Sequence, residues 1–188
     1  VYFNGQEITG QKKIYIILNK PKGYLATTNE NNKHRLCRDL ISIKNSSKLK
    51  TLFSLGRSNL GLVFFSNDLQ LIEKLKKKFF KIKIIYQVNL NREISSMDMV
   101  KIKKYILGKI SKKTMVRKID YVANKPKNII GIETLLIHGN YILNFFKKFN
   151  YDLIKYDVVS ILNFDKKNLE RGQWRVLTSK EISFLKMF

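Results

Sequence analysis

The chain has 188 residues, 44% of them hydrophobic, which is enough for one domain of ordinary size or two small ones. Its 37 Lys and Arg against 14 Asp and Glu give a net charge of +23, which favours a nucleic acid as partner, although AT-rich coding alone would also enrich lysine. No apolar run reaches the ~18–20 residues of a membrane span. With Cys37 as the single cysteine, we expect a cytoplasmic protein without an internal disulfide or a membrane partner.

Apolar runs and turn residues predict the elements of the first half of the chain. Leu62–Phe65 is an unbroken apolar run, typical of a strand buried on both faces. Asn67-Asp68 then offers an N-cap to an amphipathic helix. The expected elements, in order, are a short strand and a turn at Asn4-Gly5 within Val1–Lys13, a strand at Ile14–Leu18, a helical piece at Arg38–Ile43, the strand Leu62–Phe65, and a helix over Asp68–Lys78 with Leu69, Ile72 and Leu75 inward.

The second half mixes strands, hairpins and helices. Its expected elements are a strand at Ile82–Leu90, a helix from Ser95 to Gly108 with Asp98 at capping-box spacing, a hairpin of Thr114–Ala123 and Ile129–Ile137, a helix over Tyr141–Phe149 capped by Asn140, a strand at Leu153–Val159, and a last strand and helix from Ser179 with Thr178 and Glu181 as capping box. Together these elements predict an α+β fold with a mixed, mainly antiparallel sheet flanked by helices.

A short polar loop precedes the buried strand at Leu62–Phe65. Gly56 and Gly61 enclose an arginine, a serine, an asparagine and a leucine, and the loop holds no acid. His34 and His138 lack companion residues at metal-ligand spacing, so we expect no metal site and regard both as solvent-facing or structural.

Several motifs in their order along the chain resemble those of the ribosomal RNA pseudouridine synthases of the RsuA type. The basic turn at the end of the strand Ile14–Leu18, LNKPKGY, resembles one motif of that family, and the resemblance covers nearly the whole chain. The matching segments are Leu18–Tyr24, Gly56-Arg57, Gly61-Leu62, Ser66–Asp68, Ile85–Val88, and Leu169–Thr178 with Glu181.

The resemblance implies a sheet in two halves with a central cleft, and isomerisation of a specific uridine in ribosomal RNA to pseudouridine without a cofactor. It implies that residues 1–12 are the tail of an N-terminal S4-like RNA-binding module with its linker. Residues 13–188 would then be the catalytic-type domain. It also favours a monomer, and it implies that the ring of Tyr86 packs against the target base, as aromatic rings do with a flipped nucleotide.

The departures from the family pattern fall on polar positions. In the family, the nucleophilic aspartate lies two residues after the arginine of the GRLD motif. Here the segment between Arg57 and Gly61 is three residues shorter than in the family and holds no aspartate. Asn59 in this segment is a neutral amide and cannot replace a carboxylate. The family's lysine two residues before the tyrosine is Ile84, and the arginine expected after Asp157 is Val158. The family's RIVRR helix start is replaced by 140–144 (NYILN). This loss of polar residues beside an intact apolar scaffold indicates relaxed catalytic constraint.

These observations predict an RNA-binding family member whose catalysis is weakened or lost. The residues expected to contact phosphate or to shape the cleft are Lys20, Lys22, Arg57, Arg171 and Arg175. Two alternatives stay open. One is an active synthase in which Asp68 or Asp157 replaces the nucleophile, and the other is a non-catalytic ribosome-assembly factor that keeps the fold and the charge.

Overall fold

A computed structural model describes residues 2–3, 6–7, 12–29, 33–78, 81–108, 116–135 and 144–188. The strands are β1 (Tyr2–Phe3), β2 (Gln6–Glu7), β3 (Tyr15–Lys20), β4 (Lys50–Thr51), β5 (Leu60–Ser66), β6 (Lys83–Leu90), β7 (Val116–Tyr121), β8 (Ile129–Leu135), β9 (Leu153–Ile161), β10 (Phe164–Asp165) and β11 (Trp174–Val176). The helices are α1 (Leu69–Lys77), α2 (Ser96–Gly108) and α3 (Ser179–Met187), with 3-10 turns at Cys37–Leu40 and Ser46–Lys48. Residues 144–147 are also helical.

One large sheet organises the described residues. Its strand order is β11-β3-β5-β9-β6-β8-β7, with β4 added to β5 and β10 added to β9, and β1 pairs with β2 in a separate hairpin. All its pairings are antiparallel except that of β5 with β9, which is parallel and only two residue pairs long. The sheet therefore has two halves that meet at this short pairing, and the predicted α+β class with a mixed, mainly antiparallel sheet is confirmed.

The strands of the first half lie in the centre of the core. Every residue of β3 and β5 is buried, as the apolar run at Leu62–Phe65 predicted, and β5 extends beyond that run at both ends. In β6 the buried residues alternate with half-exposed ones, so one face of this strand meets the core and the other approaches solvent. Cys37 is fully buried, so its thiol is part of the core.

Side-chain caps fix the ends of the helices. The carboxylate of Asp68 accepts a hydrogen bond from the backbone amide of Leu71 and begins α1, as predicted. The predicted apolar stripe of α1 is wrong in one position. Leu69 is 53% exposed, and Leu71 is buried instead, because Leu69 is the first residue of the helix and projects beyond the surface that Ile72 and Leu75 cover.

The second half contains the predicted hairpin, in which β7 and β8 pair antiparallel. The helix α2 begins where the sequence predicts, but only half of the expected box forms: the Asp98 amide donates to Ser95 Oγ, whereas the Asp98 carboxylate accepts from Tyr151. At α3 the full capping box of Thr178 and Glu181 is present, as predicted. The predicted cap at Asn140 lies outside the described residues.

The C-terminal helix and the other helices are short compared with a bilayer. Within the described residues, no helix is long and apolar enough to cross a membrane.

Candidate functional site

The two halves of the sheet meet at a row of four paired residues. Lys20 on β3 pairs with Gly61 on β5, Gly61 pairs with Val158 on β9, and Val158 pairs with Tyr86 on β6. Directly paired residues project from the same face of a sheet. The fold therefore brings the end of the predicted polar loop, at Gly61, within one strand of the predicted base-stacking tyrosine.

Close contact between β5 and β9 requires the glycine at this junction. Gly61 has a φ of +109°, and a Cβ atom at this position would lie 2.3 Å from both the backbone nitrogen and the backbone oxygen of Val158. L-residues with side chains avoid this backbone region, and a Cβ at that distance would overlap backbone atoms. The backbones of β5 and β9 are therefore in close contact where the loop ends, and only glycine fits at position 61.

Tyr86 lies beneath the surface of this face. It is 1% exposed, and its ring meets the ring of Tyr156 edge-to-face at 5.6 Å between centroids. Ile84 and Val158, which stand where the family carries a lysine and an arginine, are both fully buried. Burial, with a smaller contribution from Tyr156, raises the pKa of the Tyr86 hydroxyl. Stacking on a base would require one face of this ring to become exposed, so the role assigned to Tyr86 stays a prediction.

Lys20 is also inaccessible, with 0% of its surface exposed. Its ammonium donates to the backbone oxygen of Asn59 at 2.5 Å and to that of Pro21 at 3.1 Å. Burial, supported by the nearby charge of Arg171, lowers the pKa of Lys20 to about 8. Of the two roles expected for this lysine, phosphate contact or shaping of the cleft, the geometry supports the second.

An ion-pair cluster lies on the opposite face of the junction. Asp157 is 5% exposed, and one of its carboxylate oxygens accepts hydrogen bonds from Arg171 at 2.6 Å and from Lys166 at 2.7 Å. Arg171 also donates to Asn19 Oδ1 at 2.6 Å, so it connects β9 to β3. Burial acting alone would raise the pKa of Asp157, but the hydrogen bonds from Arg171 and Lys166 outweigh it and hold that pKa below its ordinary value.

The chain positions of this cluster explain why the sequence did not predict it. Lys166 and Arg171 lie 9 and 14 residues after Asp157, and Asn19 lies 152 residues before Arg171. No helical or strand spacing relates them. The only signal in the sequence is the single acid of a predicted strand, and it indicates a displaced nucleophile rather than an ion pair. Because Asp157 is adjacent to Val158 in a strand, its side chain projects from the face opposite to Tyr86.

Asp68, the other candidate for a displaced nucleophile, lies at the far end of β5. Gly61 and Ser66 are five residues apart in that strand, about 17 Å, and Asp68 lies beyond Ser66. Its carboxylate caps α1, accepts a hydrogen bond from the Tyr15 hydroxyl at 2.9 Å and pairs with Lys13 at 3.0 Å. The alternative in which Asp68 enters the cleft is therefore wrong, because helix capping holds this side chain at the opposite end of the strand.

A basic pocket opens beside the polar loop, with a volume of about 660 Å³. It is lined by Lys22, Gly23, Leu25, His34, Arg57 and Ser58. The lining residues include three that can carry positive charge and none that is acidic. The sequence predicted two of these, Lys22 and Arg57, whereas His34 was considered solvent-facing or structural. It is exposed, but it shares this pocket, and only its basic neighbours in the sequence could have indicated that.

The predicted cationic residues therefore divide among four places. Lys22 and Arg57 share the basic pocket, Lys20 lies buried beneath the loops, and Arg171 belongs to the ion-pair cluster. Arg175 lies on the edge strand β11, where its guanidinium forms two hydrogen bonds of 2.8 and 2.7 Å with Glu181. Contact of these residues with RNA stays a prediction. Within the described part of the chain, no three His, Cys, Asp or Glu side chains are grouped as metal ligands.

Comparisons with known proteins agree with this geometry. The model of the family described as RNA pseudouridylate synthase matches residues 14–142. An uncharacterized RNA pseudouridine synthase of Aquifex aeolicus is 28% identical over 99% of this chain and 77% of its own length. The dual-specificity RNA pseudouridine synthase RluF of Escherichia coli K12 is 25% identical over 97% of this chain, which spans only 61% of that relative.

Solved structures show the same fold. A crystal structure of a pseudouridylate synthase superposes with a TM-score of 0.73 at 17% identity, over 93% of this chain and 74% of the other. An H/ACA ribonucleoprotein bound to a substrate RNA containing 2'-deoxyuridine superposes with a TM-score of 0.52 at 12% identity, over 84% and 50%. With the family model matching well over half of the sequence, this chain belongs to the RNA pseudouridylate synthase family.

Proposed function

We propose that this protein binds ribosomal RNA with the pseudouridine synthase fold and that its isomerase activity is weakened or lost. The observation that carries the proposal is the junction itself. The loop Gly56–Gly61 holds no carboxylate, and Tyr86, across the junction, is buried in the hydrophobic core. A net charge of +23 supports binding to a polyanion.

The chemistry of the family reaction explains why a loop without a carboxylate indicates weak or absent catalysis. The family reaction detaches uracil from ribose C1′ and rejoins it through C5, which requires a persistent anion that attacks or stabilises a cationic centre. Asn59 occupies the loop, but its amide carries no charge, and its backbone oxygen accepts a hydrogen bond from the buried Lys20. Arg57 and Ser58, the other polar residues between the two glycines, supply no carboxylate either.

Mapping of pseudouridine tests this proposal directly. Unmodified ribosomal RNA is incubated with the natural chain, with a variant in which the aspartate-containing family loop is restored between Arg57 and Gly61, and with the same insertion carrying asparagine. Pseudouridine is then located by carbodiimide labelling and reverse-transcription stops. We expect little or no product from the natural chain. Product from the aspartate loop alone would show that only the nucleophile is missing, and product from the natural chain as fast as from the aspartate loop would contradict the proposal.

Binding is measured separately, because it does not depend on turnover. If charge drives association, log affinity falls linearly with log salt, by about 0.7–0.9 for each phosphate neutralised. Affinity for ribosomal RNA that does not change with salt would count against the proposal. The non-catalytic ribosome-assembly factor is a related alternative. It differs from the proposed function only in that Tyr86 no longer contacts a base of the bound RNA.

An active synthase that uses Asp157 is the second candidate, and one contact favours it. A Cβ on Gly61 would lie 2.6 Å from Asp157 Oδ1, so this carboxylate is adjacent to the end of the loop. Against it stand the ion pairs with Arg171 and Lys166 and the location on the opposite face from Tyr86. If the natural chain makes pseudouridine, Asp157→Asn should abolish the product while Asp165→Asn, at an exposed carboxylate nearby, should not.

We infer that the chain divides into two parts near residue 12. The strands β1 and β2 pair only with each other, which supports assigning residues 1–12 to the tail of an S4-like module and its linker. Residues 13–188 then form the synthase-type domain, which we propose acts as a monomer in the cytoplasm. Light scattering of the purified chain tests the monomer, since a mass near 22.2 kDa is expected.

A further inference from the structure

We propose that the basic pocket of Lys22, His34 and Arg57 binds a phosphate of the RNA backbone together with its nucleotide, at a place separate from Tyr86. The inference rests on the proposed function for the identity of the ligand. It deepens that function by assigning RNA recognition to a pocket whose three basic residues are exposed, while the predicted base-stacking tyrosine is buried.

Three chain segments build the pocket, namely residues 22–25, 33–37 and 56–58, and hydrogen bonds hold them together. The amide of Gly23 donates to the oxygen of Arg57 at 2.9 Å, which joins the first and third segments. The amide of Leu25 donates to the oxygen of Arg35, and the amide of Cys37 donates back to the oxygen of Leu25, both at 2.9 Å. The walls are therefore preformed, and binding would not have to order them, which lowers the entropic cost of association.

The buried Lys20 strengthens the same arrangement. Its ammonium donates to oxygens of Pro21 and Asn59, which belong to the two loops that carry Lys22 and Arg57. One side chain thus connects both basic loops. In addition, the pocket has three basic lining residues and no acidic one, so the electrostatic potential there favours an anion.

The composition of the lining indicates which anion fits. A guanidinium, an ammonium and an imidazole are donors suited to phosphate oxygens, and Ser58 adds a hydroxyl. Leu25 and Gly23 supply an apolar wall against which a sugar or base can pack. The volume of about 660 Å³ lies within the range of pockets for small ligands, roughly 300–1,000 Å³, and exceeds what a bare phosphate needs.

Two measurements test the site. In the first, backbone amide NMR signals of residues 22–25, 33–37 and 56–58 are followed while inorganic phosphate, uridine 5′-monophosphate or uridine is added to the full chain. In the second, affinity for a ribosomal RNA fragment is measured at several salt concentrations. Both use Lys22→Gln and a matched control, Lys125→Gln, because each lysine lies in an exposed turn next to a proline and each change removes one charge.

We expect uridine monophosphate to shift these signals more strongly than phosphate, and uridine to shift them little. Lys22→Gln should weaken both the nucleotide and the RNA by about tenfold, as loss of a charged hydrogen bond does. It should also reduce the salt slope by about 0.7, while Lys125→Gln changes affinity much less. Circular dichroism and denaturation establish that both variants remain folded.

The outcomes separate this proposal from the function on which it rests. Equal weakening of RNA binding by the two variants would overturn the pocket and leave charge-driven RNA binding standing. Absence of signal shifts with all phosphate-containing probes would also overturn it. If the nucleotide binds in the pocket but the RNA fragment neither binds nor competes, the phosphate site stands, and the proposed binding of ribosomal RNA fails.

Discussion

Gly61 and Val158 lie opposite each other on the parallel strands β5 and β9, so close that the glycine has no room for a Cβ atom. These strands share only two residue pairs, and the two halves of the sheet meet there. Val158 stands where the family pattern has an arginine, and Gly61 ends the loop that is shorter here than in the family. Both positions that depart from the family pattern therefore lie at the contact that joins the two halves.

Substitution of this glycine should destabilise the fold strongly. Gly61→Ala places a methyl group 2.3 Å from two backbone atoms of Val158 and forces an L-residue to a φ of +109°. Gly23→Ala is the matched control, since its φ is +92° but no heavy atom lies within 4 Å of the added Cβ. We expect losses of about 1–2 kcal/mol for Gly23→Ala, from backbone strain, and about 3 kcal/mol or more for Gly61→Ala.

Urea denaturation of the two variants measures this difference in the free energy of unfolding. Equal losses would mean that backbone conformation alone sets the cost and that β5 and β9 do not approach as closely as the structure has them. A larger loss at Gly61 also predicts that loop insertions before it, such as the restored family loop, must preserve this glycine.

Tyr86 should behave as a core residue in stability measurements. Its ring is 1% exposed and packs on Tyr156, so Tyr86→Ala should reduce the free energy of unfolding by about 3 kcal/mol or more. Tyr86→Phe keeps the ring and should cost less than about 1.5 kcal/mol. Denaturation of both variants checks this, and a small loss for the alanine variant would show that the ring is free to contact a base.

The local elements could be predicted from the sequence because their signals are local. The apolar run at Leu62–Phe65, the N-cap at Asp68 and the capping box of Thr178 and Glu181 each depend on residues within one turn or one strand. The resemblance supplied the two-halved sheet, which no periodicity in the chain encodes. The error at Leu69 arose because helical spacing alone does not say where the covering surface ends.

The site was harder to predict, since its contacts join distant parts of the chain. Nothing near Asp157 in the sequence indicates that Arg171 will bond to it and to Asn19 at once. A lysine in a basic turn also looks the same whether it is exposed, as Lys22 is, or fully buried, as Lys20 is. Burial depends on the tertiary packing of three loops, and pattern analysis of one loop does not contain it.

The buried lysine should make stability depend on pH in the alkaline range. The pKa of Lys20 is lowered to about 8 in the folded chain and is near 10.5 when the chain unfolds. Between these values the unfolded lysine binds more protons, so Lys20 contributes a rise in the free energy of unfolding as pH increases from 8 towards 10. Cys37 above about pH 9 and Tyr15 above about pH 10, whose pKa values burial raises to about 12, act in the opposite direction.

Lys20→Met isolates this contribution. The variant should lack the contribution of Lys20 between pH 8 and 10, whereas Lys22→Met, which changes an exposed lysine two residues away, should retain it. Urea midpoints at half-unit pH intervals provide the measurement. Parallel profiles for the natural chain and Lys20→Met would mean that this ammonium is hydrated in solution rather than enclosed by the loops.

The ion pair between Arg175 and Glu181 predicts a loss of stability in acid. Hydrogen bonds from Arg175, then from the backbone and side chain of Thr178, hold the pKa of Glu181 at about 2, below its ordinary value of 4.5. A lowered carboxyl pKa contributes stability that is present above pH 4.5 and is lost as pH falls towards 2. Because the pair is partly exposed, with 40% of the arginine and 23% of the glutamate side chain accessible, we expect about 1 kcal/mol or less.

Glu181→Gln tests this contribution without removing the cap, because glutamine can also serve in a capping box. The difference in unfolding free energy between the natural chain and the variant should be largest above pH 4.5 and should shrink as the pH approaches 2. The control is Glu73→Gln, at an exposed position of α1. Asp157 and Asp68 also lose stabilising contacts in acid, but they do so equally in every chain compared. A difference that stays constant from pH 6 to pH 2 would show that Glu181 acts through packing or capping and not through its charge.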